Sequence, residues 1–211
     1  MNAGIPAEAL SLITLRRIVG GLALLMAVLM LAAFFAASWM ETEDGQDRRT
    51  AWEIWSGTNS GDKETLNLQS PDAGGFGRVR GVDRLLILIP IGALLFGLLA
   101  IYYAFGRLSM LRRISLRTTA LLLLILALLL LALPFIWQAL SSNNWRGVLE
   151  DSNLSNTLAD HLLDELTATY STGQQIIYGL IALLAGIAAV ALETPQVRAY
   201  LDISPAVPTL E

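Results

Sequence analysis

The stretch TTALLLLILALLLLALPFIWQAL, residues Thr118–Leu140, is almost entirely apolar and contains no charged residue. Three other stretches share this property, and they are Ile18–Met40, Leu85–Phe105 and Ile176–Leu192. A helix needs about 20 apolar residues to cross the roughly 30 Å hydrocarbon core of a bilayer. The sequence therefore predicts an all-α membrane protein in which four transmembrane helices form one domain over residues 1–211.

The composition narrows the chemistry that this domain can perform. Of the 211 residues 55% are hydrophobic, and the chain has no cysteine and one histidine. Disulfides, thiolate metal sites and covalent haem attachment are therefore excluded, as is two-histidine haem ligation within the chain. We expect no cofactor and no catalytic residue. The basic residues are arginines apart from Lys63, and with the heavy use of leucine and alanine this indicates a bacterial source.

Short basic segments predict the orientation in the membrane, because short cytoplasmic loops carry an excess of Lys and Arg. We expect both termini to be cytoplasmic, with inner segments 1–17, 106–117 and 193–211 and outer segments 41–84 and 141–175. The residues that determine this topology are Arg16, Arg17, Arg107, Arg112, Arg113 and Arg117.

The charge balance agrees with this orientation. The outer segments hold fourteen acids and seven bases, and the inner segments four acids and seven bases. Arg78, Arg80 and Arg84, just before the second span, oppose it. The apolar run after Arg17 is longer than a signal-peptide core, so we expect an uncleaved anchor.

The outer segments are expected to form a small extracytoplasmic cap. Alternation of apolar and polar residues predicts strands at Thr50–Ser56 and Thr65–Gln69, joined as a β-hairpin. Leucines at intervals of four predict an amphipathic helix over Asn156–Thr169. Residues that either fill a core in this cap or bind a partner are Trp52, Trp55, Trp145, Leu158 and Leu162.

Polar and aromatic residues at the span ends predict contacts with the membrane interface. Trp39, Trp137, Tyr102 and Tyr103 lie at the depth that amphipathic rings favour. The glutamines Gln138, Gln174 and Gln175 also lie at span ends, where water or head groups can bond them.

Small residues recur at helical spacing along three spans. In lipid, such stripes allow helix backbones to approach closely. They either seal this bundle or bind another subunit, and internal packing is favoured. The third span is rich in leucine and offers no specific seam. The predicted packing residues are Gly20, Ala23, Ala27, Ala93, Gly97, Gly179, Ala182, Gly186 and Ala189.

The charged residues form no catalytic or transport motif. Coupled transport usually needs ionisable groups at membrane depth, and the four spans have none. His161 with Asp164 and Glu165 falls short of a zinc site, which needs three or four ligands. The outer acids lack EF-hand spacing. The glycines at 74, 75, 77 and 81 are not followed by a phosphate-loop lysine.

The order of segments resembles that of claudins and peripheral myelin protein, with inner termini, a large first outer segment and a short basic inner turn. The stretch that starts at Trp39 and ends in WEIWSG, Trp52 to Gly57, is similar to the tryptophan signature of that family's first outer segment. The family's paired cysteines are absent. The resemblance implies a left-handed four-helix bundle with a small extracellular sheet, used for lateral or cell-to-cell association.

These features favour a non-enzymatic membrane protein that acts through protein–protein association, as an accessory or structural subunit of a larger bacterial complex in the cell membrane. Its expected partners are the lipid bilayer and other membrane subunits or a second copy. The dense basic patch is explained by topology, so no nucleic-acid partner is expected. The alternative is a small pore or carrier component that conducts only as an oligomer or with partners.

Overall fold

The computed structural model describes residues 7–41, 48–56, 81–106, 114–151, 161, 164 and 170–202. Within them, a 3₁₀ turn at Arg84–Ile87 leads into the second long helix. The strands are β1 (Ser38–Glu41) and β2 (Arg48–Thr50), and the helices are α1 (Ala7–Ala36), α2 (Ala51–Ser56), α3 (Leu88–Phe105), α4 (Leu116–Asp151), α5 (Gly173–Leu192) and α6 (Pro195–Asp202).

The four apolar helices predicted from the sequence are confirmed. Helices α1, α3, α4 and α5 lie in segments that are long and apolar enough to cross a membrane, as expected of a multi-pass membrane protein. Helix α4 has 36 residues, which corresponds to about 54 Å. It therefore continues well past Leu140, where the sequence pattern placed the end of the third span.

The long helices form a ring in which neighbours in the chain are neighbours in space. Helix α1 packs on α3 and α5, and α4 packs on the same two helices. Each adjacent pair is antiparallel. We call the end of the bundle that carries Trp39 the Trp39 end, and the end that carries Arg16 the Arg16 end.

Glycines bring the helices close together along three of the four seams. A Cβ atom on Gly20 would lie 2.7 Å from Ala104 Cβ in α3, and one on Gly186 would lie 2.9 Å from Leu124 Cα in α4. On the seam between α3 and α4, a Cβ on Gly92 would lie 2.9 Å from Leu130 Cδ2. At such distances only a residue without a side chain fits unless its neighbour moves.

The third span does form a seam, contrary to the expectation from its composition. Leu124 and Leu131 of α4 receive the backbone of Gly186 and Gly179. Leu123 and Leu130 are buried in the core of the bundle. A uniform run of leucines can supply the large side chains of a helix interface. The glycines of α5 supply the small residues against which they pack.

A two-stranded sheet is present, but the predicted strand Thr50–Ser56 was wrong. The sheet pairs β1 with β2 in antiparallel fashion, and residues Ala51–Ser56 are the helix α2. A capping box starts this helix: the Thr50 amide donates to Glu53 Oε2 at 2.8 Å, and the Glu53 amide donates to Thr50 Oγ1 at 3.2 Å. The predicted strand Thr65–Gln69 lies outside the described residues.

Most of the predicted helix Asn156–Thr169 also lies outside the described residues. Within it, the described His161 and Asp164 are helical and exposed. The described part of the second outer segment starts instead as the continuous extension of α4 to Asp151. Further along, Tyr170 pairs with Met40 through an isolated antiparallel bridge.

Candidate functional site

Three aromatic rings form a buried stack at the Trp39 end. The ring centroids of Trp39 and Trp137 are 5.6 Å apart, and those of Trp137 and Tyr170 are 5.2 Å apart, both in edge-to-face geometry. Trp39 is fully buried and Trp137 nearly so. The stack joins β1 to α4 and to the segment before α5, and we call these rings with Asp83 and Gln175 the Trp39 cluster.

The polar atoms of the Trp39 cluster are bonded to one another across the elements. Trp137 donates through Nε1 to Asp83 Oδ1 at 3.2 Å. With the Gln175 amide oriented to satisfy its neighbours, its side-chain oxygen accepts from Trp39 Nε1 at 2.6 Å and its nitrogen donates to the Thr172 carbonyl at 3.0 Å. The Trp137–Asp83 bond connects α4 to the segment just before α3, and the Trp39–Gln175 bond connects β1 to α5.

The rim of the cluster continues the same network. The Gln138 amide donates to Thr172 Oγ1 at 2.7 Å, and the Tyr170 hydroxyl donates to Ser141 Oγ at 3.0 Å. Burial raises the pKa of Tyr170 above its usual value, because the charged phenolate loses solvation. Tyr170 therefore stays a neutral hydrogen-bond donor over the physiological range.

The Arg16 end carries a cross-link between α1 and the residue that follows α5. Arg16 donates through Nε to Glu193 Oε1 at 2.7 Å and through a terminal nitrogen to Oε2 at 3.1 Å. The Glu193 side chain is only 1% exposed. A two-point arrangement of this kind is the strongest geometry that arginine makes with a carboxylate. The ends of α1 and α5 are therefore tied together on both sides of the apolar core.

The six arginines expected to determine topology have different surroundings. Arg16 is engaged with Glu193, whereas Arg17 and Arg117 are exposed. Arg107, Arg112 and Arg113 lie outside the described residues.

The nine small residues expected at helix seams are all buried within the single chain. Gly20 and Gly97 lie on the seam between α1 and α3, where a Cβ on Gly97 would be 3.3 Å from Ala27 Cβ. Gly179 and Gly186 lie on the seam between α4 and α5. The remaining members, Ala23, Ala93, Ala182 and Ala189, belong to the main core.

The three cap residues that the structure describes lie on two different helices. Trp52 and Trp55 lie on α2, with ring centroids 5.1 Å apart, and Trp52 packs against Phe34 and Phe35 at the end of α1. Trp145 lies half-buried on the extension of α4. Leu158 and Leu162 are outside the described residues.

The four aromatics expected at the membrane interface are interior residues instead. Tyr102 and Tyr103 are buried like the two tryptophans of the cluster. Their hydroxyls donate to the carbonyls of Ile114 at 2.8 Å and Ala189 at 3.1 Å. A partner across the bundle can satisfy the polar atom of such a ring as well as an interface can, and the sequence does not distinguish these two cases.

Sequence reasoning missed Asp83, Tyr170 and Glu193 as members of these networks. Asp83 and Glu193 border apolar spans, and this position is the signal in the sequence that could have identified them. Solvated acids also occur at such positions, so the signal is not specific. Among the described residues no three His, Cys, Asp or Glu side chains are grouped so that they could hold a metal ion. The chemistry of the Trp39 cluster is hydrogen bonding and ring packing, which suit a rigid scaffold.

Comparisons of this chain with protein-family models, with curated proteins and with solved structures find no match. The likeness to claudins and peripheral myelin protein therefore rests on the order of segments and on the WEIWSG stretch. In the structure the first five residues of that stretch are helical.

Proposed function

We propose that this chain is a non-enzymatic accessory or structural subunit of a larger complex in a bacterial cell membrane, with both termini cytoplasmic. Partner subunits bind at the Trp39 end, outside the bilayer. The proposal is supported by one observation above the others, which is that α4 continues as a helix past Leu140 to Asp151 from a base that is bonded to Tyr170.

The extension is the last part of α4, from Ser141 to Asp151. At about 1.5 Å per residue it reaches roughly 15 Å beyond the level of Ser141. Its base is held by the Tyr170 hydroxyl on Ser141 and by the Trp39 cluster. A surface held in one orientation loses little conformational entropy on binding, which favours association.

The membrane faces of the helices give less support for partner binding. The small residues that could receive another helix are already buried inside this bundle. The exposed positions carry large aliphatic residues such as Leu128 and Leu184, which suit contact with lipid chains. A partner surface is therefore more consistent with the segments outside the spans.

The interior of the bundle gives no support for a conduction path through one chain. Within the described residues, charged side chains lie toward the two ends, and the core between them is apolar. A pore that forms by oligomerisation remains the alternative function, and flux in proteoliposomes that contain this chain alone would favour it.

Site-specific photo-crosslinking tests the proposal in native membranes. A photoreactive residue at the exposed Arg146 should give protein adducts of discrete mass, while one at Leu128 or Leu184 should give lipid adducts. These two lipid-facing positions are matched controls, because both are exposed. Protein adducts equally frequent at all three positions, or a chain that migrates alone in every mild detergent, would contradict the proposal.

A further inference from the structure

Helix α2 places an exposed aromatic pair at the end of α1. The ring centroids of Trp52 and Phe35 are 5.6 Å apart, and these side chains are 40% and 53% exposed. Their neighbour Phe34 is 1% exposed. The pair therefore has one side on the protein and one side facing outward, and we call it the aromatic edge.

The aromatic edge ends a continuous apolar stripe along α1. The exposed residues Ile18, Leu22, Leu25 and Val28 precede Phe35 on the same face of the helix. Successive members, Phe35 included, lie four, three, three and seven residues apart, which is the spacing of one broad helical face. In a membrane-spanning helix such a face contacts lipid chains, so the aromatic edge extends a lipid-facing surface.

The length of this stripe matches the thickness of a bilayer. Phe35 follows the exposed Arg17 by 18 residues, which corresponds to about 27 Å of helix against roughly 30 Å of hydrocarbon. With Arg17 at one boundary, Phe35 and Trp52 lie at the opposite boundary. Tryptophan rings favour that level, because they are apolar in body and polar at the indole nitrogen.

Charged residues follow directly beyond the aromatic edge. Arg48, whose side chain is 67% exposed, forms an ion pair of 2.8 Å with Glu41 in the small sheet. From α1 into the small sheet, the exposed residues are therefore aliphatic, then aromatic at Phe35 and then charged, which is the order of environments from hydrocarbon to water.

Helix α2 is also held in place, so its position is not that of a free loop. The fully buried Ala51 anchors it, and the Thr50–Glu53 capping box fixes its first turn. Since Ala51 faces the protein, the adjacent Trp52 is held outward beside Phe35.

We propose that the aromatic edge inserts into the lipid interface at the Trp39 end and that α2 is an interfacial anchor. The occupant of this surface is phospholipid, at the boundary between head groups and acyl chains. The anchor sets the depth of the bundle in the membrane. The anchor requires that the chain crosses a bilayer, but it does not require a partner protein.

The absence of cysteine makes a direct depth measurement possible. Single substitutions L25C, W52C and R48C would each carry one nitroxide label, in vesicles of phosphatidylcholine and phosphatidylglycerol. Accessibility to oxygen and to a water-soluble nickel complex reports depth. We expect position 25 near the bilayer centre, position 48 in water and position 52 about 5–10 Å below the phosphates.

Two results would overturn the proposal. Position 52 could be as accessible to nickel as position 48, which would mean that α2 lies in water. It could instead be shielded from both reagents, which would mean that protein, including a second copy of the chain, covers it. Because the vesicles contain this chain alone, either failure leaves the proposed partner binding to be judged by its own cross-linking experiment.

A second measurement avoids labels at the site. Phosphatidylcholine brominated near the head-group end of its acyl chains should quench part of the tryptophan fluorescence. The W52F variant should lose the larger part of that quenching, whereas W137F should keep it, because Trp137 is 2% exposed. Equal quenching in wild type and W52F would contradict the inference.

Discussion

Arg16 and Arg17 are neighbours in the sequence, but they have different surroundings in the bundle. Arg17 is exposed, while the guanidinium of Arg16 holds the carboxylate of Glu193 at two points. In the sequence, both arginines lie at the end of a predicted span, and both indicate that this end is cytoplasmic. Only the fold distinguishes the arginine that faces solvent or head groups from the one that joins two helices.

Removing the Glu193 carboxylate should destabilise the bundle strongly. Glu193→Ala leaves the Arg16 guanidinium without this partner, and we expect a loss of about 3 kcal/mol in the free energy of unfolding. Arg16→Ala should cost a similar amount, and the double variant should cost less than the two losses added. Reversible unfolding in mixed micelles measures all three variants.

The matched control for this cycle is Arg17→Ala, which should change stability by about 0.5 kcal/mol or less because Arg17 is exposed. Strict additivity of the Arg16 and Glu193 variants would show that the ion pair has no coupling energy, contrary to this prediction.

Asp83 should matter as a hydrogen-bond acceptor for Trp137. Asp83→Asn keeps an oxygen for the indole N–H and should lower stability by about 1 kcal/mol or less, whereas Asp83→Leu should cost about 1–3 kcal/mol. The near-ultraviolet circular dichroism of the tryptophans should change in the leucine variant only. Equal effects of both substitutions would indicate that the bond to Trp137 does not stabilise the cluster.

At the scale of elements, two close contacts determine structure that the composition does not predict. The Thr50–Glu53 capping box converts a stretch that alternates like a strand into the helix α2. Glycines on α5 give the leucine-rich α4 a seam. In both cases contacts between a few atoms determine the structure. The hydrophobic pattern of the whole stretch predicts a strand in place of α2 and no specific seam for α4.

Gly20 and Gly21 provide a matched test of close helix packing. A Cβ on Gly20 would lie 2.9 Å from the Ala100 carbonyl oxygen, while a Cβ on Gly21 would meet nothing within 4 Å. Gly20→Ala should therefore cost about 1–3 kcal/mol. Gly21→Ala should be neutral or stabilise by up to about 1 kcal/mol, because alanine favours a helix. Unfolding in micelles compares them, and equal effects would refute the assigned seam between α1 and α3.

The whole molecule is a ring of four helices that is tied at both ends, and its orientation can be read in intact cells. Single cysteines at the exposed residues Arg146 and Gln196 report on opposite ends of the bundle. With cytoplasmic termini, a membrane-impermeant maleimide should label R146C in intact cells and Q196C only after permeabilisation. The reverse pattern would place the Trp39 end in the cytoplasm.

The number and approximate position of the four long helices could be predicted from the sequence, because hydrophobicity is a local property of each stretch. The extension of α4 could not, since Ser141–Asp151 is polar and its helix is continued from the apolar span before it. The Trp39 cluster could not be predicted either, because it joins residues from distant parts of the chain.

The sequence by itself determined that this chain is built from four membrane-length helices, and that no charged residue lies within the four apolar stretches. The tertiary structure decided which faces of those helices meet. Leu123 is buried and Leu122 is 38% exposed, yet the two are identical residues in one leucine run. In a soluble helix the polar side identifies the surface, but lipid is as apolar as the protein core, so this periodic signal is lost. Only packing against specific glycines, and hydrogen bonds between distant residues, distinguishes the inside of the bundle from the outside.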